Sequence, residues 1–63
     1  MSLHEKVRVV ESVQGSGTPV TLYFNGWSVT GLVEAFNRGS STIQVDGSKY
    51  SLRVPRRVGI ATN

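Results

Sequence analysis

From residue 20 onward, apolar and polar positions alternate with a period of two, which is the pattern of half-buried strands. "VTLYF" and "WSVTGLVEAF" flank Asn25-Gly26, the dipeptide favoured in a two-residue type I′ hairpin turn because both turn positions need positive φ. A two-residue turn puts Phe24 opposite Trp27, Leu22 opposite Val29 and Val20 opposite Gly31. Val20, Leu22, Phe24, Trp27, Val29, Val33 and Ala35 then share one face, with Thr21, Tyr23, Ser28, Thr30 and Glu34 on the other. Asp46-Gly47 repeats the logic, with Val45 facing Ser48 and Ile43 facing Tyr50. Ile43, Val45, Tyr50, Leu52 and Val54 form an apolar face there; Thr42, Gln44, Lys49, Ser51 and Arg53 form a polar one. Pro55 cannot donate a ladder hydrogen bond and interrupts the last long strand, after which "VGIAT" (58–62) is expected as a short fifth strand. Gly31, in mid-strand, marks a sharp bend or a close backbone approach.

Residues 1–14 follow a different rule. "SLHEKVRVVESVQ" permits two readings: β-branched "VRVV" favours a strand, whereas Ser2 and Glu5 have the spacing of a capping box. Leu3, Val7, Val10 and Gln14 fall on one helical face, and a short amphipathic helix is the preferred reading. "GSG" and the residues after it (15–18) read as a linker, because no Lys-Ser/Thr follows to make a phosphate loop. The expected architecture is one all-β domain over 1–63. An N-terminal helix (1–14) precedes a small, strongly bent five-stranded barrel of SH3-like or Sm-like type (19–62).

With 63 residues and no cysteine, such a domain has a thin stability margin and no disulfide or thiolate metal site to widen it. Oligomerisation is the help that remains open. No apolar run approaches the roughly 20 residues of a membrane span, and the start lacks a basic-then-apolar signal pattern. The expected location is therefore cytoplasmic.

Net charge is +3, with a sequence pI near 10.0. Glu5, Lys6, Arg8 and Glu11 cancel, so the excess comes from Arg38, Lys49, Arg53, Arg56 and Arg57 against Glu34 and Asp46. A basic half beside a neutral one points to an anionic partner. Arg53, Arg56 and Arg57, with Lys49 on the same strand face as Arg53, are the candidate phosphate contacts. Tyr23 and Trp27 are candidate stacking surfaces for bases. Parity puts Trp27 on the apolar face, where packing or a subunit contact competes with that role. His4 has no placed partner, and no catalytic triad or metal-ligand spacing is present, so neither catalysis nor a cofactor is expected.

"PVTLYFNGWSVTGLVEAFN" (19–37) resembles the first signature motif of the Sm-like family, its bacterial Hfq branch in particular. Pro19-Val20, Asn25-Gly26, Gly31 and Glu34-Ala35-Phe36-Asn37 carry the resemblance. Gly39 stands about where that branch has an aromatic, and "VPRRVGIAT" replaces its Tyr-Lys-His motif, so the match is to a divergent member. The resemblance implies a homo-oligomeric ring, often a hexamer, that pairs strand edges between subunits and binds single-stranded RNA. It adds Asn37, Arg38 and Ser40 as base-contacting candidates, since they occupy the loop that usually does this in the family; a turn chosen for its conformation is the other account of them. The rival readings are an SH3-like protein-interaction module using Trp27 and Tyr23 in a peptide groove, and a small barrel that binds duplex DNA.

Overall fold

The computed structural model describes residues 1–61. Helix α1 (Leu3–Val13) is followed by strands β1 (Val20–Tyr23), β2 (Ser28–Gly31), β3 (Val33–Asn37), β4 (Thr42–Val45), β5 (Ser48–Ser51) and β6 (Arg57–Ile60). They form two three-stranded antiparallel sheets, β2-β1-β6 and β3-β4-β5. There are six strands where five were expected, because the long second strand divides at Leu32, and neither sheet closes on itself. The last strand begins and ends earlier than the expected 58–62. Thr62, the end of that expectation, lies outside the described residues.

The helix starts where the sequence says it should. The Ser2 side chain accepts from the Glu5 N–H at 3.2 Å, and Glu5 Oε1 accepts from the Ser2 N–H at 3.1 Å, so the capping box is complete. The Ser2 backbone N–H, then the Ser2 hydroxyl, holds the Glu5 carboxyl below its ordinary pKa. The buried stripe is shifted from the expected one. Lys6, Val7, Val10 and Val13 are buried, while Gln14 is exposed and caps the helix in an extended conformation. Leu3, Lys6, Val10 and Val13 also follow a helical period, and a lysine can join a buried stripe when its long apolar stem packs along it.

Both hairpin registers match the parity argument: Val20↔Gly31, Leu22↔Val29, Ile43↔Tyr50 and Val45↔Ser48. The turns differ. Asp46 and Gly47 both have positive φ (52° and 80°), as a type I′ turn requires, but at Asn25-Gly26 only Gly26 does (88°). The first hairpin is therefore not type I′, although the Phe24 N–H still donates to the Trp27 carbonyl at 2.8 Å.

A β-bulge at Glu34 changes the parity of β3. Val33 pairs with Val45, but Ala35 pairs with Gln44 and Phe36 with Ile43. The extra residue turns Phe36 toward the core and leaves Ala35 exposed, which corrects the assignment of Ala35 to the apolar face. The bulge residue is anchored: Glu34 Oε1 accepts from the Gly47 N–H at 2.7 Å. Val54 is also corrected. β5 stops at Ser51, so Val54 falls in the bend between β5 and β6 and is 66% exposed.

The core joins Val7, Val10 and Val13 of the helix to Val20, Leu22 and Val58 of one sheet and Ile43 and Val45 of the other, with Leu52. Gly31 lets the sheets approach. A Cβ there would lie 2.9 Å from Val45 Cγ1, closer than real contacts allow.

Candidate nucleic-acid interface

Tyr23 ends β1 and pairs with Arg57, which opens β6. Facing residues of neighbouring strands project to the same side, and the Arg57 guanidinium carbon lies 4.1 Å from the Tyr23 ring centroid, a cation–π contact. The Tyr23 ring also lies against Gly59, whose absent Cβ would come within 3.3 Å of a ring carbon. Two residues of β6, one an arginine and one a glycine, thus meet the ring of one tyrosine. The Tyr23 carbonyl accepts from the Arg56 N–H at 2.7 Å, which fixes the chain just before Arg57. Tyr23, Phe24, Arg56, Arg57 and Met1 surround an open depression of ≈ 430 Å³.

Phe24 connects this depression to Trp27. Their rings are stacked, with centroids 4.1 Å apart and planes 9° from parallel, and Phe24 is tilted against Tyr50 at 5.7 Å. Trp27 is 55% exposed. Its expected packing against Phe24 is present, but it is not a core residue. It stands beyond the last ladder pair of the hairpin, Tyr23↔Ser28, where the chain has run past the core. An aromatic ring held in place on one face and open to solvent offers its other face to a flat group.

The other sequence candidates lie elsewhere. Lys49 and Asn37 line a second depression of ≈ 360 Å³ with Phe36, Thr42 and Gln44, on the sheet of β3, β4 and β5. The Asn37 side chain accepts from the Ser40 N–H at 3.1 Å, and the Ser40 hydroxyl shares a hydrogen bond with Thr42 at 2.8 Å. These side chains shape their own turn. Its left-handed residue is Ser41 (φ 55°), not Gly39. Arg38 forms the one ion pair among the described residues, at 3.2 Å to Glu11. It ties the turn to the helix, and its charge is partly matched. Arg53 is exposed on the bend and lines neither depression.

The structure therefore gathers Tyr23, Arg56 and Arg57 around one depression, with Trp27 joined through Phe24, and separates them from Asn37, Arg38, Ser40 and Lys49. Sequence reasoning missed Phe24 and Gly59 as parts of this surface. Gly59 carried a signal, a glycine inside a short strand; Phe24 carried none beyond its place in the apolar parity. Two cations and two half-buried aromatic rings around an open depression, with the exposed Trp27 stacked beside it, suit an anionic ligand with flat rings. Among the described residues no three metal-ligating side chains gather, and no helix is long and apolar enough to cross a membrane. No protein-family model matches this chain, and neither a curated protein nor a solved structure was found that matches it.

Proposed function

We propose that this chain is a divergent Sm-like protein that binds single-stranded RNA, without catalysis, as a homo-oligomeric ring. The observation that carries the RNA reading is one depression lined by Tyr23, Phe24, Arg56 and Arg57, with Arg57 laid over Tyr23 and the exposed Trp27 stacked on Phe24 beside it. Stacking tolerates any base, and the arginines neutralise phosphates. Single-stranded nucleic acid offers both groups together, whereas duplex DNA hides its base faces.

The strand order supports the Sm-like part. Only Leu32 separates β2 from β3, so the two sheets read as one strongly bent five-stranded sheet in the order β6-β1-β2/β3-β4-β5. Its ends are β6 and β5, each with one edge unpaired among the described residues. Pairing β5 of one subunit with β6 of the next would remove both edges and repeat around a closed ring. Ile60 on β6 and Val54 in the preceding bend are 47% and 66% exposed, apolar surface that such a contact would cover. A cytoplasmic setting belongs to the same proposal, since the ligand is RNA.

The test combines mass and binding. Light scattering is expected to give a multiple of the 6.8 kDa chain. Titration with U-rich and A-rich oligoribonucleotides is expected to show affinity that falls steeply with salt and exceeds that for duplex DNA of equal length. A monomer without salt-sensitive RNA binding would falsify the proposal. A monomer that binds peptides favours the adaptor reading, and preference for duplex DNA favours the third.

A further inference from the structure

Lys6 is a charged residue with 5% exposure, on the buried stripe of α1. Its ammonium donates to the carbonyl oxygens of Leu52 at 2.8 Å and Pro55 at 2.5 Å. An ammonium has three donors and no acceptor, so it can draw several carbonyls toward one point. Leu52 and Pro55 lie in the bend (52–56) that joins β5 to β6, and both are fully buried. Arg53, Val54 and Arg56 alternate with them and are exposed. The far side of the bend is held by the hydrogen bond from the Arg56 N–H to the Tyr23 carbonyl. Arg57 follows directly, over Tyr23. The bend is thus clamped from the helix on one side and from β1 on the other.

We infer that Lys6 is a positioning residue for the arginine cluster: its buried ammonium sets the path of the bend and so places Arg56 and Arg57 beside Tyr23. Lys6 spends its charge inside the molecule and adds no phosphate contact of its own. The helix is then more than a lid on the core, because it fixes the segment that carries the proposed RNA contacts. This rests on the reading that the Tyr23–Arg57 surface binds RNA, and the placement itself is measurable without RNA.

The test uses the full chain with Lys6→Met, which keeps the length of the side chain and removes its donors, and with Arg8→Met, which removes an exposed charge from the same helix. Lys6→Gln, whose shorter, neutral side chain weakens the hold on the two carbonyls, replaces Lys6→Met in every measurement if that variant does not fold. In amide NMR spectra, Lys6→Met is expected to shift Arg53, Arg56 and Arg57 while Arg8→Met leaves them in place. With an oligouridylate probe, Lys6→Met is expected to weaken binding about two- to tenfold and to lower the salt slope. Added to Arg56→Gln/Arg57→Gln, it is expected to cause little further loss, since it acts through those residues. Unmoved amides at 53, 56 and 57, or a loss that adds in full to that of the arginine pair, would overturn the inference. If the unaltered chain binds no RNA, the proposed function fails, and the amide shifts alone decide whether Lys6 positions the cluster.

Discussion

The Arg57 guanidinium covers the ring of Tyr23, with 4.1 Å between its central carbon and the ring centroid. Tyr23, a sequence candidate for base stacking, is therefore already covered by an arginine. A base approaching this surface meets the planar guanidinium, which itself stacks on bases. Arg57→Lys keeps the charge but not the plane. It is expected to lower RNA affinity about two- to fivefold, as the planar face on which a base can stack is lost while the charge remains, with little change in salt slope. Equal affinities for the two proteins would show that only the charge matters.

Trp27 is a built-in reporter. Stacked on Phe24 and open to solvent, its fluorescence is expected to change on addition of a single-stranded oligoribonucleotide. Trp27→Ala is expected to remove about 1–3 kcal/mol of binding per stacked base, and to cost only about 0.5–1.5 kcal/mol of stability through loss of the aromatic pair. Fluorescence that does not respond at saturating RNA places Trp27 outside the site.

Gly31 and Val45 test the packing of the two sheets. Gly31→Ala is expected to destabilise the fold by about 1–3 kcal/mol in chemical denaturation, because the new methyl meets Val45 Cγ1 at 2.9 Å. Adding Val45→Ala makes room, so the double variant is expected to lose less than the sum of the single losses. Strict additivity would rule out this contact as the reason for glycine.

The helix start should weaken in acid. The Glu5 carboxyl is held below its ordinary pKa, first by the Ser2 backbone N–H and then by the Ser2 hydroxyl. A lowered folded-state pKa means that its stabilisation is present above the ordinary carboxylate value and is lost as pH falls through the lowered one. NMR titration is expected to show the Glu5 side chain and the Ser2 amide moving together at that lower pH. Ser2→Ala removes the hydroxyl but keeps the backbone N–H, so it is expected to raise the Glu5 pKa only in part, and an unchanged Glu5 titration in that variant would remove the hydroxyl as a cause.

By itself the sequence determined the local geometry: the capping box of Ser2 and Glu5, and the hairpin registers that put Val20 opposite Gly31 and Ile43 opposite Tyr50. These are legible because each depends on residues a few positions apart, through hydrogen bonds and alternation that hold wherever the segment ends up. The tertiary structure decided everything that depends on distant chain segments meeting. It buried Lys6 against the carbonyls of Leu52 and Pro55, paired Arg38 with Glu11, and laid Arg57 over Tyr23. The roll of candidate cations was silent about which of them the fold brings together, because charge in a sequence has no direction. The bulge at Glu34 moved Phe36 inward and Ala35 outward, since one extra residue reverses every side chain after it. Trp27 shares its hairpin's apolar parity, yet it stands in solvent. Parity says which side of a sheet a residue takes, and only the position of the helix and the second sheet says where that side stops being covered.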